Sequence, residues 1–273
     1  MSAIAIEANP WPDRRRRALR DLVDGALAYR IWGRLGWQDI RQRYRRSVLG
    51  PFWITVSAAA MIGGIGLMYS GLLHQATEEY LPFLAAGMLV WMLIASLVNE
   101  ACTAFTGADQ FIKQVKLPLT VHVWRMVWRN LIIFGHNLVI LVPVFIHYGH
   151  PIDAGAALAI LGLLLVAANA YLLGISLGII CARFRDVPPI IGSLVQLTFF
   201  VTPVMFPTRA LGQHEWIAKL NPFFHFLQIV RAPLLGQEVA PQSWGIALAA
   251  TAVSAFLTTV LFLRYRGRIA YWV

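Results

Sequence analysis

An all-α polytopic membrane protein with six transmembrane helices is the fold class this sequence predicts, on three observations. Hydrophobic residues make up 58% of the 273 and the mean hydropathy is +0.63, above the roughly one-half apolar content of a soluble domain. Six apolar runs, 53–73, 81–106, 121–147, 154–181, 189–206 and 244–263, approach or exceed the about 20 residues that cross ~30 Å of hydrocarbon. Twenty of the 23 Lys and Arg lie on one side of those runs: eleven Arg before Trp53, then Lys113, Lys116, Arg125 and Arg129, then Arg183 and Arg185, then Arg264, Arg266 and Arg268. Basic loops stay in the cytoplasm during insertion, so both termini are expected there. Residues 1–50 then form a cytoplasmic N-terminal segment and 51–273 a transmembrane domain.

The first dozen residues read as disordered, and no apolar signal-peptide core precedes the first span. From 18 to about 48 runs a basic stretch of helical period. Trp37, Ile40, Tyr44 and Val48 share a stripe beside Arg30, Arg34, Arg41 and Arg45, as in an amphipathic helix lying in the headgroup layer. It is either a plain positive-inside anchor or an interface helix that also touches a substrate headgroup or a partner subunit. Gly50-Pro51 ends it. In the first span Ala59/Gly63, Ala60/Gly64 and Gly66/Ser70, and in the fourth Ala170, Gly174 and Gly178, are small residues four apart that admit a neighbouring backbone.

Between the second and third spans, Phe111, Ile112 and Val115 cluster on one side of a short helical turn flanked by Lys113 and Lys116, and Pro118 stops it. The third span opens with Trp124/Trp128 and Arg125/Arg129, an interfacial belt with snorkelling arginines. Residues 183–188 form a second short basic loop. Residues 207–243, between the fifth and sixth spans, hold an apolar stretch interrupted by Asn221-Pro222, Arg231 and Pro233. It is too short to span and reads as extracytoplasmic half-helices, re-entrant or interfacial.

Several chemistries are excluded. No Gly-Lys dipeptide exists, so there is no P-loop. His214-Glu215 lacks the second histidine of a zinc protease, since Ala218 stands there. The Gly174–Gly178 match to a nucleophile elbow falls mid-span, where a strained strand-to-helix turn has no place. His147 and His150, with only Asp153 nearby, do not make a metal set; Glu78 and Glu79 read as a solvated loop, and Cys102 and Cys181 as packing residues. The pI near 10.2 reflects juxtamembrane charge and lipid contact, not nucleic-acid binding. Glu100, Arg125, Arg129, His136 and Asn137 carry polarity to membrane depth, where it is costly. Glu100 paired with Arg125 or Arg129 is either a register-fixing ion pair or a polar patch on a translocation path.

Five segments carry a family resemblance: 39–53 (DIRQRYRRSVLGPFW), 111–118 (FIKQVKLP), 183–187 (RFRDV), 202–207 (TPVMFP) and 220–224 (LNPFF). Together, in this order, they resemble the ABC-2 type permeases that export polysaccharides, most closely O-antigen exporters and their capsule and teichoic acid relatives. The resemblance implies a homodimer in the bacterial inner membrane, served by two copies of a separate ABC ATPase that binds the ATP and Mg, with no cofactor in this chain. It implies a coupling helix over 110–116, in which Phe111 and Ile112 insert into the ATPase and Gln110, Lys113, Val115 and Lys116 flank them. Arg183, Arg185 and Asp186 are a second implied contact, and spans one and five line the path of a lipid-linked polysaccharide.

A hydrated sugar polymer passes most easily along aromatic faces, for which Trp53, Tyr69, Phe199, Phe200 and Phe206 are the candidates; each is equally a packing or lipid-facing residue. Arg41, Arg43, Arg45 and Arg46 suit a lipid diphosphate through charge-assisted hydrogen bonds. Rival readings are an ABC-2 exporter of small molecules, a passive channel, and an integral membrane transferase. The last needs clustered Asp, Glu or His at one membrane face, which this chain lacks.

Overall fold

The computed structural model describes residues 11–43, 45, 50, 52–72, 76–149 and 154–273, and all regular structure among them is helical. The helices are α1 (Trp11–Leu27), α2 (Tyr29–Arg43), α3 (Phe52–Leu72), α4 (Thr77–Ala101), α5 (Asp109–Gln114), α6 (Thr120–Asn137), α7 (Leu141–His147), α8 (Ala157–Arg183), α9 (Val187–Val201), α10 (Glu215–Leu220), α11 (Pro222–Leu234), α12 (Pro241–Tyr265) and α13 (Ile269–Trp272). Among the described residues, five segments are long and apolar enough to cross a membrane: Phe52–Gly71, Thr77–Ala101, Thr120–His147, Ala157–Arg183 and Pro241–Trp272.

α4 is the axis of the bundle. Its most apolar stretch is 67% buried, against 22% for Phe52–Gly71 and 17% for Pro241–Trp272, as expected of a helix apolar on every face. α3, α6, α8, α9 and α11 all pack on it, while α8 carries α11 and α12 on its other sides and α2 lies along α6. Of the small residues expected to admit neighbours, Gly66 meets Leu81, Gly174 meets Val123 and Gly178 meets Phe105, whereas Gly63 and Gly64 face open space.

Local chemistry accounts for the points at which the helices depart from the apolar runs. The fifth run was expected to be helical to 206, yet α9 stops at Val201, after 15 residues. Thr202 is extended (φ −87, ψ 129) because the residue before a proline, here Pro203, is disfavoured in the helical region. The third run is one span in two pieces: a 3-10 turn over Leu138–Ile140 joins α6 to α7, close to Pro143, which has no N–H to offer the Val139 carbonyl. The basic stretch expected as a single helix over 18–48 begins earlier, at Trp11, and is divided at Ala28 into α1 and α2. Its stripe is split as well, with Ile40 buried and Trp37 48% exposed. Tyr44, Val48, Arg46, His150, Asp153 and residues 1–10 lie outside the described residues.

The segment between α9 and α12 forms a 3-10 stretch over Thr208–His214 and then two short α-helices, α10 and α11. α11 is buried through Phe224, Phe226, Leu227, Ile229 and Val230, and Arg231 and Pro233 sit within it rather than breaking it. It starts cleanly because the Asn221 side chain accepts from the Phe223 N–H (3.0 Å) and Pro222 occupies the first turn, where its missing N–H costs nothing.

Candidate functional site at the basic end of the bundle

α6 places Arg125 and Arg129 one turn apart on the same face. α2 lies close beside them: a Cβ on Gly36 would fall 3.1 Å from Trp128 and 3.2 Å from the Arg125 carbonyl. That approach delivers Asp39, the only acidic residue of α2, between the two guanidinium groups. Arg125 donates to Asp39 through Nε (2.7 Å) and Nη2, and Arg129 through Nη1 (2.7 Å). Arg129 turns its Nη2 to Glu100 of α4 (2.7 Å), which also accepts from the Asn130 amide (2.6 Å); Asn130 in turn accepts from the Ser96 hydroxyl (2.6 Å). Two cations meet two carboxylates, so the cluster is close to neutral and ties α2, α6 and α4 together. Asp39 is the member that sequence reasoning missed. Trp32 stacks on Trp124 (5.7 Å between ring centroids) and Trp124 on Tyr171 (4.4 Å), carrying the contact on to α8.

α5 hangs below this cluster as a single exposed helical turn. The Arg125 guanidinium sits 5.4 Å from the centre of the Phe111 ring, a cation–π contact that holds Phe111 at 40% exposure. Ile112 is half-buried, and Gln110, Lys113, Val115 and Lys116 are exposed. Arg183, the last residue of α8, and Arg185 and Asp186, between α8 and α9, are also exposed. The C-terminal turn gathers the two segments: α13 packs on both α5 and α8, Arg185 donates to the Trp272 carbonyl (3.1 Å), and Arg183 lies 5.9 Å from the Trp272 ring. Sequence reasoning assigned α13 no part in this.

Arg41, Arg43 and Arg45 are exposed at the end of α2. Beside them a cavity of about 240 Å³ opens between α3, α4 and α6, with Arg43, Ser96, Asn130 and Asn137 among otherwise apolar walls. Of the aromatic candidates, Trp53 is 51% and Phe200 63% exposed, and Tyr69 and Phe206 are half-buried. Phe199 packs against Trp91 (5.7 Å) and Phe200 (5.4 Å). α3 and α9, which carry four of the five, both lie on α4.

At the opposite end the extended turn after α9 is held from three sides. Arg231, 2% exposed, donates to the Pro203 carbonyl (2.9 Å) and the Gln228 side chain (3.0 Å), with the Phe83 ring 4.3 Å from its guanidinium carbon. The Tyr80 hydroxyl donates to the Met205 carbonyl (2.9 Å), and the Asn221 amide to the Thr202 hydroxyl (2.7 Å).

Two comparisons with known proteins bear on this arrangement. Residues 32–235 match the family described as ABC-2 type transporter. The chain is also similar to the O-antigen export system permease protein RfbA of Myxococcus xanthus, 23% identical over 219 residues that cover 79% of this chain and 84% of that protein.

Proposed function

The chain belongs to the ABC-2 type transporter family, and from that premise we propose that it is the permease of an ATP-driven exporter that moves a lipid-linked, O-antigen-like polysaccharide. It is a multi-pass protein of the bacterial inner membrane and a transport subunit, not itself catalytic. In the proposal it works as a homodimer with two copies of a separate ATPase, and its basic end faces the cytoplasm.

The observation that carries the reading is α5. This six-residue helix between two spans ends at Gln114, short of the 116 expected, because Val115 is extended (φ −125, ψ 129). With Gln110 and Lys113 exposed on it and Val115 and Lys116 exposed just after it, it suits a cleft in a partner with acidic rim groups. Phe111 and Ile112 enter that cleft, and Arg183, Arg185 and Asp186 make a second contact reached through α13. The lipid diphosphate is met by Arg41, Arg43 and Arg45 near the cavity that Arg43 lines, together with Arg46, which lies outside the described residues. Trp53, Tyr69, Phe199, Phe200 and Phe206 offer the polymer faces to slide on without tight binding. Arg125 and Arg129, already paired with Asp39 and Glu100, serve as a brace rather than as substrate ligands. The similarity to an O-antigen export permease favours a glycan over a small drug-like molecule.

Purification from the native host in mild detergent tests the proposal. A stoichiometric P-loop subunit is expected to co-elute, with hydrolysis lost when Phe111 and Ile112 are both changed to Ala. Absence of any ATPase under gentle conditions would refute the reading. An Arg41→Ala/Arg45→Ala double variant is expected to block glycan export while leaving the complex intact; normal export by that variant would refute the headgroup assignment.

A further inference from the structure

Asp21 lies in the middle of α1 with its side chain fully enclosed. Its carboxylate accepts from the backbone N–H groups of Leu119 (3.2 Å) and Thr120 (3.1 Å), from the Thr120 hydroxyl (3.0 Å), and from Arg266 (2.8 and 2.7 Å). α6 has no capping side chain of its own at Leu119, so its first N–H groups find an acceptor on a different helix. The negative charge also faces the positive end of the α6 dipole. The approach leaves no slack: a Cβ on Gly25, one turn along α1, would fall 1.9 Å from the Thr120 hydroxyl oxygen. One carboxylate therefore joins the N-terminal helix, the segment that leaves α5, and the end of the last span, 245 residues away in sequence.

We propose that Asp21 is the positioning residue through which a displacement of α5 is passed to α1 and to the end of α12. The inference rests on the exporter reading, in which α5 meets the ATPase. Residues 115–119 join α5 to α6, and the last of them, Leu119, itself donates to Asp21, so a movement of α5 that reaches the start of α6 reaches Asp21. A shift at Thr120 must either strip an enclosed carboxylate of its donors, which is strongly disfavoured, or carry α1 and Arg266 with it. The second course is the easier one, so the three elements move as a body. Without the charge on Asp21, the ATPase still docks and hydrolyses, but its stroke is no longer shared with α1 and the last span.

The test compares wild type with Asp21→Asn, which keeps an oxygen acceptor and loses the charge, and with Arg266→Gln, which releases α12 alone. Two quantities are read: display of the host's own surface glycan, by lectin binding to intact cells, and ATP hydrolysis by the purified permease–ATPase complex. Assembly and basal hydrolysis are expected to persist, while glycan displayed per ATP hydrolysed falls about tenfold in Asp21→Asn and by a smaller factor in Arg266→Gln. An unchanged ratio in both variants overturns the proposal. Loss of assembly in both also overturns it, since Asp21 would then only hold the fold. A wild-type preparation that contains no ATPase refutes the exporter reading itself, before any variant is compared, and this proposal falls with it.

Discussion

Arg125 and Arg129 at one end of the bundle and Arg231 at the other place the same side chain in two opposite electrostatic settings. The first two are 18–19% exposed and share Asp39, and Arg129 also pairs with Glu100. Arg231 is buried, and among the described residues no carboxylate pairs with it; a carbonyl, an amide oxygen and an aromatic face take that place. In the paired setting Coulomb attraction fixes the spacing of three helices, and the arrangement fails if one charge is removed. In the unpaired setting the guanidinium is a rigid fork of hydrogen-bond donors, reaching from α11 to the turn after α9. Its burial is opposed by desolvation and offset by contacts that neutral groups supply. The same residue type thus braces helices at one end and holds non-helical backbone at the other.

The largest effect is expected where charge is left unbalanced. Asp39→Ala leaves Arg125 with no carboxylate partner and Arg129 with Glu100 alone, and stability measured by thermal unfolding in detergent should fall by roughly 3–5 kcal/mol. A loss below about 1 kcal/mol, the range of a surface pair, would mean that water screens the cluster and that the contrast between the two ends is not real. Arg231→Met should cost less, about 1–3 kcal/mol, because it removes a desolvated charge while leaving the Pro203 carbonyl without its donor. Hydrogen exchange should then rise in 202–207 and not in α2; equal protection of that turn in both proteins would refute the holding role. Asn221→Ala removes a helix cap, worth about 1 kcal/mol, together with the amide that meets Thr202. Its effect should be confined to α11 and the same turn, and exchange spreading to α6 would join the two regions that the comparison separates.

Hydropathy made most of this architecture legible, since a span of about 20 apolar residues has few alternatives. The two arginines on one face of α6 follow from helical spacing, and α5 from a proline-terminated amphipathic turn. The acids that organise the basic end do not follow. Asp21, one of three aspartates of α1, and Asp39, the one acid of α2, sit in arginine-rich helices where they read as solvated, and their partners lie 86 to 245 positions away. Only the folded packing, tight at Gly25 and Gly36, brings them home. The early end of α9 had a local signal, since Thr202 precedes Pro203, but the apolar run continuing to Phe206 masked it. The break at Ala28 has no comparable signal, because neither proline nor glycine stands there.

Fifteen residues at about 1.5 Å each make α9 about 22 Å long, against ~30 Å of hydrocarbon. A bilayer answers such hydrophobic mismatch by thinning, or by letting polar groups and water descend beside the short element. The non-helical turn from Thr202 to Pro207, pinned by Tyr80, Asn221 and Arg231, takes up the chain where the short helix ends. α9 falls short of that thickness by about a quarter. A hydrated solute travelling beside that helix would have a correspondingly shorter stretch of low dielectric to cross.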